Sequence, residues 1–169
     1  MRSLLSTAAH DPPDPLANDP GRRDVEFTDF YRAEHGAQVR RAFLLVGSNE
    51  TANDVVHDAM AAVYQRWNTV EAPGAYLNRA VLNGCRDVGR RRQADLKLVR
   101  RLRPGDDSTH DEILLDVVSR LPFNQRAAVV LRFYAGMTET EIAAALDVPT
   151  GSIGPWIKRA LTTMKKELS

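Results

Sequence analysis

A chain of 169 residues has room for one domain of ordinary size or two small ones, on a prior of roughly 100 to 200 residues per domain. Its single cysteine, Cys85, excludes an intrachain disulfide or a cysteine metal cluster and reads as a buried, inert thiol. The formal charge of +1 conceals segregation: residues 24 to 75 hold four basic and eight acidic side chains (net −4), residues 76 to 103 nine basic and two acidic (net +7), and residues 104 to 119 five acids and no base.

Such segregation fits an acidic surface for one partner and a basic surface for a polyanion. The opening MRSLLSTAAH has too short an apolar run for a signal peptide, and no run is long enough to span a bilayer, so a cytoplasmic protein without membrane contact is expected. Residues 1 to 23 are rich in proline and aspartate without apolar periodicity, which predicts a flexible tail. From Asp24 a helix is expected, with Phe27, Phe30, Tyr31, Val39, Ala42, Phe43 and Val46 as its apolar positions. A gentle break is expected near Gly36, and Gly47-Ser48-Asn49 closes the helix.

The next helix, about Thr51 to Trp67, has the cleanest amphipathic pattern. At about 100 degrees per residue, Val55, Val56, Ala59, Met60, Val63 and Trp67 share one side, while Asp54, His57, Asp58, Ala61 and Gln65 share the other. Two carboxylates and an imidazole could chelate a metal or act as acid and base. The chain offers no HExxH pair or second cluster to complete a site, so a solvated or partner-binding face is the stronger reading. Asn68 to Gly74 is a loop. The helix from Ala75 to about Gln93 buries Leu77, Val81, Cys85 and Val88 and gathers Arg79, Asn83, Arg86 and Arg90 on its opposite side. Arginine pairs phosphate in a fork and asparagine can address a base edge, so this stripe favours nucleic acid. The Trp67 to Tyr76 loop adds aromatics able to stack on an unpaired base.

Pro104-Gly105-Asp106-Asp107 marks a linker between two domains. Helices are expected over roughly His110 to Arg120 and Asn124 to Tyr134, with a stop at Ala135-Gly136. Thr138 and Glu141 then form a capping box. They open a short helix that ends at Asp147-Val148-Pro149. A second helix follows with Ile153, Ile157, Ala160, Leu161, Met164 and Leu168 at threes and fours, leaving Ser152, Trp156, Arg159 and Thr163 facing away. Two short helices joined by a tight turn suit a helix-turn-helix that enters the major groove. No stretch alternates at period two. The predicted fold is therefore all-α: two small helical domains joined by a flexible linker, the C-terminal one a helix-turn-helix.

Over about residues 25 to 168 the chain resembles bacterial sigma factors of the extracytoplasmic function (ECF) type, which contain only sigma regions two and four. Asp54-Val-Val-His-Asp-Ala-Met60 is similar to the family's "DLVQEVF" helix, the main grip on the polymerase β′ coiled-coil. Ala75 to Arg91 is similar to "AWLxRIARNxxxDxxRR". Leu121-Pro122, Gln125-Arg126, Leu131-Arg132, Gly136, Glu141-Ile142-Ala143 and Leu146 match the region-four pattern. The resemblance implies a tail over residues 1–23, region two over 24–93, a linker over 94–109 in the polymerase's RNA exit path, and region four over 110–169.

The mechanism implied is recruitment rather than chemistry, with no catalytic residue, cofactor, metal or small-molecule substrate. Asp54, His57 and Asp58 would meet core RNA polymerase, whose β and β′ subunits are the expected partners. Trp67, Asn68, Tyr76, Arg79, Asn83, Arg86, Arg90 and Arg91 would meet the minus-ten element of promoter DNA. Arg132, Ser152, Trp156, Lys158 and Arg159 would meet the minus-thirty-five element. Relatives are often restrained by an anti-sigma factor, which adds a further expected partner. Unstacking costs a few kcal/mol per base and stacking on protein aromatics returns about 1 to 3 kcal/mol, so the polymerase grip must help hold the bubble. A stand-alone helix-turn-helix regulator is the competing reading; it would need a dimer interface, and no spare apolar stripe provides one.

Two departures from the family stand out. His57 replaces the usual glutamine, which keeps a hydrogen bond and adds pH sensitivity. Where relatives read "GTVKSRLHRA", this chain reads Gly151-Ser-Ile-Gly-Pro-Trp-Ile-Lys-Arg-Ala160, so Gly154, Pro155 and Trp156 replace polar or basic residues. With Ser152 as cap, Pro155 falls in the first turn, where proline is tolerated; with Thr150 as cap, a kink is expected.

Overall fold

The computed structural model describes residues 20–96 and 110–168, and every regular element among them is helical. The expected tail lies outside the described residues except for 20–23, and the expected linker lies outside them except for 94–96. Three helices make the N-terminal unit: α1 (Pro20–Val46), α2 (Asn49–Gln65) and α3 (Pro73–Leu96). The C-terminal unit comprises α4 (His110–Arg120), α5 (Phe123–Val129), a π-helical turn (Val130–Tyr134), α6 (Glu139–Leu146), a 3₁₀ turn (Thr150–Ser152) and α7 (Ile153–Glu167).

Helix α1 begins four residues before the expected Asp24 and runs through Gly36 without a break. A mid-helix glycine costs about 1 kcal/mol, and burial of Gln38, Ala42, Leu45 and Val46 beyond it holds the helix straight on. Gly47, with φ of 73°, turns the chain in the left-handed region that glycine tolerates. Ser48 then caps α2 by accepting from the Thr51 amide at 3.3 Å.

The three N-terminal helices pack on one another through Val55, Val56, Ala59, Met60 and Val63 of α2 and Leu77, Val81, Leu82 and Cys85 of α3. Burial pushes the Cys85 thiol up to about 12, the environment of an inert rather than a reactive cysteine. A polar link joins α1 to α3: Gln38 Nε2 and Arg41 Nη1 both donate to Asn78 Oδ1, at 2.7 and 2.9 Å. Gln38 is the buried polar residue of this core, and its bond to Asn78 is what makes its burial tolerable.

The C-terminal unit departs from expectation first at the end of α5. The helix expected over Asn124 to Tyr134 changes at Val130 into a π turn, where the Ala135 amide reaches Val130 O at 3.2 Å. The wide turn keeps Val130 and Leu131 buried and pushes Phe133 and Tyr134 outward, Phe133 being 63% exposed. Gly136 follows with φ of 67°. The two units do not stand apart. One apolar cluster runs from Ala42, Leu45 and Val46 of α1 and Leu82 of α3 to Ala127, Leu131, Ile142, Leu146 and Ile153.

Candidate nucleic-acid interface

Leucine, valine and cysteine at helical spacing bury one side of α3, which leaves the arginine stripe on the other. Arg79, Asn83, Arg90 and Arg91 are exposed and Arg86 is half-buried. Three of the four stripe residues already have protein partners. Arg79 Nη2 donates to Ala144 O at 3.2 Å, and Arg86 Nη2 donates to Leu146 O at 3.4 Å while its guanidinium lies 5.4 Å from the centre of the Phe123 ring. Arg90 lies 3.9 Å from Asp87, one turn back on its own helix.

The aromatic loop before α3 is only partly free. Trp67 falls just beyond α2, half-buried, with edge-to-face or tilted contacts to Phe27 and Phe30 at 5.3 and 5.1 Å. That packing fixes the end of α2 on α1. Tyr76 is half-buried beneath the Arg66 guanidinium at 5.6 Å, and Asn68 is exposed in the turn.

On α2 the apolar side is buried as expected, and Asp54, His57 and Asp58 are exposed together. Sequence reading missed the partner of His57. His35 of α1 places its Nε2 3.3 Å from His57 Nε2, and Tyr31 stacks on His35 at 4.7 Å. The two histidines stand 22 residues apart on different helices, a pairing no local pattern encodes. Among the described residues no three His, Cys, Asp or Glu side chains gather as a metal site.

Desolvation, and then the charge of His57, hold the His35 imidazole below its ordinary value of 6.5. The folded protein thus takes up this proton less readily than the unfolded chain. Stability is full above about 6.5 and falls as the pH drops through the lowered folded value. Thermal melts from pH 7.5 to 5 should show a steeper fall in Tm for the parent than for His35→Phe, which keeps the stack but not the titration. Parallel curves would assign the pH dependence elsewhere.

The helix-turn-helix forms as its local chemistry dictates. Thr138 Oγ1 accepts from the Glu141 amide at 3.3 Å and Glu141 Oε2 accepts from the Thr138 amide at 2.8 Å, completing the capping box. The Thr138 amide, and then the Thr138 hydroxyl, which donates to the same Glu141 Oε2 at 2.8 Å, hold the Glu141 carboxyl below its usual range. Asp147 ends α6 in the left-handed region at φ 56°, its amide reaching Ala143 O. Pro155 is the third residue of α7, inside the first turn, so the helix needs no kink. Ser152 occupies the cap position, yet no side-chain cap bond forms there.

The faces of α7 differ from expectation. Trp156 is half-buried against the apolar cluster instead of facing away, whereas Leu161 and Leu168 are each 44% exposed. Lys158 and Arg159 are exposed, Ser152 is half-buried, and Arg132 donates from Nη1 to Met137 O at 3.0 Å.

These features define an all-helical protein of two docked units whose second unit is a capped helix-turn-helix. Residues 111–164 match the family described as Sigma-70, region 4. Over 153 residues the chain is 33% identical to the RNA polymerase sigma-E factor of Streptomyces coelicolor, covering 85% of this chain and 86% of that protein. It is 29% identical over 150 residues to the ECF RNA polymerase sigma factor SigM of Mycobacterium tuberculosis, covering 84% of this chain and 76% of that one. The chain belongs to the ECF sigma factors.

Solved structures share the fold. The sigma factor RpoE in its complex with the anti-sigma factor NepR from Bartonella quintana aligns at a TM-score of 0.68 and 19% identity, over 85% of this chain and 96% of that chain. CnrH, solved with the cytosolic domain of CnrY, aligns at 0.66 and 24% identity, over 90% of this chain and 92% of that chain.

Proposed function

We propose that this protein directs RNA polymerase to specific promoters by using residues 24–93 as region two and residues 110–169 as region four, with residues 94–109 as the linker through the RNA exit path. Core polymerase docks through its β and β′ subunits, the β′ coiled-coil meeting Asp54, His57 and Asp58 on α2. Region two then holds the minus-ten non-template strand with Asn68, Tyr76, Asn83 and the cations Arg79, Arg86, Arg90 and Arg91, while Trp67 shapes the loop beside them. Region four places α7 in the major groove of the minus-thirty-five element, with Lys158 and Arg159 toward DNA and Arg132, Ser152 and Trp156 beside them.

The observation that carries this reading is a kinship spanning both helical units in a chain whose acidic α2 face and α7 cations are both exposed. The protein itself performs no chemistry; nucleotidyl transfer stays with polymerase, and no cofactor is called for. It acts in the cytoplasm. An anti-sigma factor, the kind of partner present with the neighbouring RpoE structure, is a further partner.

Run-off transcription with core polymerase on genomic DNA, followed by start-site mapping, tests the reading. Discrete starts should appear only when the protein is added, and Arg159→Ala should lower promoter use several-fold, in line with the roughly 1 to 3 kcal/mol attached to a lost specific contact. Starts that do not depend on the protein would overturn it.

A further inference from the structure

Helix α1 brings to the polar face of α2 a ligand that α2 lacks by itself. Asp54, His57 and Asp58 lie together on α2, and His35 stands against them with its Nε2 3.3 Å from His57 Nε2. The ring centroids are 5.3 Å apart, well beyond the nitrogens, so the two rings turn their nitrogens toward each other. Protein N–H donors sit best at about 2.9 to 3.0 Å from an acceptor, which makes this pair long for a hydrogen bond. Two nitrogens at about 2.0 to 2.1 Å from one tetrahedral Zn²⁺ stand about 3.3 to 3.4 Å apart, with their ring centres about 5.2 Å apart. Both distances of the histidine pair match. An ion with ligands at right angles would hold the nitrogens at about 2.8 to 3.0 Å, so the spacing selects zinc over square-planar copper or octahedral nickel.

The surroundings suit a cation as well. Tyr31 stacks on half-buried His35 at 4.7 Å, while His57 is exposed, so one ring is pinned and the other can swing its lone pair onto an ion. Asp54 is exposed one turn before His57, at the i, i+3 spacing of side-chain neighbours. As the side chains stand, no third ligand is gathered among the described residues; a rotamer change at Asp54 provides one, and water the fourth. The net charge of −4 over residues 24–75 draws a dication to this surface.

We propose that His35 and His57 form a zinc site beside the polymerase-binding face of α2, with Asp54 as third ligand, and that zinc and core polymerase bind there in competition. The competition rests on the assignment of Asp54, His57 and Asp58 to polymerase. With both Nε2 lone pairs on the ion, each ring keeps its proton on Nδ1. His57 Nε2 is then closed to any other partner, and Asp54 is turned toward the ion. Two of the three side chains assigned to polymerase are thereby withdrawn, and the charge of the face rises by two. By linkage, polymerase weakens zinc binding by the same factor by which zinc weakens polymerase binding. The ion ties α1 to α2 in the folded protein alone, so it also stabilises the fold.

The test titrates zinc chloride into the full chain, first stripped of metal with a chelator; calorimetry reads stoichiometry and thermal melts read stability. One equivalent should bind, and Zn²⁺ at tenfold its dissociation constant should raise Tm by roughly 3 to 6 °C. His35→Phe, which keeps the stack on Tyr31, and His57→Gln should each abolish that rise. His57 is exposed, so its variant still reads the site should His35→Phe lower helicity by circular dichroism. Asp54→Asn should weaken binding without abolishing it. Co²⁺ in place of zinc should give the visible absorption of a tetrahedral ion in the parent and not in His57→Gln. No rise in the parent, or a rise that survives both histidine changes, overturns the site. Anisotropy titration against core polymerase reads the competition: zinc should weaken the parent's affinity several-fold and leave that of His35→Phe, a residue outside the polymerase set, unchanged. Zinc that binds through the histidines without altering core affinity overturns the competition and leaves the site standing. Asp54→Ala with Asp58→Ala, measured without zinc, reports separately whether α2 is the polymerase face.

Discussion

Replacing Asp54 and Asp58 together with alanine is expected to weaken binding to core RNA polymerase by at least tenfold while leaving the protein folded. Both carboxylates are exposed on α2, and among the described residues neither takes part in a hydrogen bond or ion pair, so their loss removes nothing from the fold. The buried side of the same helix, Val55, Val56, Ala59, Met60 and Val63, is untouched. Truncating one member of a buried interfacial charge pair costs about 2 to 5 kcal/mol, and a rim pair about 0 to 1 kcal/mol. Two carboxylates one turn apart, flanking a histidine held by His35, stand nearer the first case. Pull-down or anisotropy titration against core enzyme reads the affinity, and circular dichroism confirms the helix content. Equal affinities for parent and double variant would remove α2 as the polymerase face.

Local chemistry made much of this fold legible. The capping box needs only Thr138 and Glu141 three residues apart, and it forms as read; the apolar side of α2 follows from period alone and is buried as read. Contacts across the chain are another matter. Arg126 meets Leu45 across 81 residues and Arg40 meets Tyr134 across 94, and no periodicity announces either. The π turn is equally hidden, because Val130–Tyr134 has the composition of an ordinary helix. Trp156 was misplaced for a related reason. Helical phase sets it only about 60° from Ile153 and about 40° from Ala160, at the edge of the apolar side, and the cluster it packs against there is partly built from the N-terminal unit. A basic residue at Trp156, expected from the family pattern to strengthen DNA contact, would also forfeit that packing. On α3 the stripe was read correctly as a face, yet α6 at two of its arginines could not be read at all.

Gly84→Leu is expected to be the most destabilising single change on α3. A Cβ built on Gly84 would stand 2.8 Å from Cγ1 of Val55 on α2, closer than real Cβ atoms come. Valine in a helix is held in one rotamer, so its methyl has little room to yield and the helices themselves must part. Alanine at this position balances two effects: a gain of up to about 1 kcal/mol in helix propensity against an overpacking cost of about 1 to 3 kcal/mol, for a net loss. Leucine adds three further carbons to the same contact, which puts it at or beyond about 3 kcal/mol and lowers Tm by roughly 6 to 12 °C for a chain of this size. The double variant Gly84→Ala with Val55→Ala discriminates steric from other causes. Removing the two methyls opens the space the new Cβ needs, so the pair should be more stable than the sum of the single changes by about 1 kcal/mol or more. Additive losses would mean that Gly84 serves α3 for some reason other than the close approach of Val55. Function should follow spacing as well as stability, because the α2–α3 separation sets the distance between the Asp54-Asp58 face and the arginine stripe. A folded Gly84→Ala protein should therefore lose promoter opening more than polymerase affinity, which abortive-initiation and core-binding assays on the same preparation would separate.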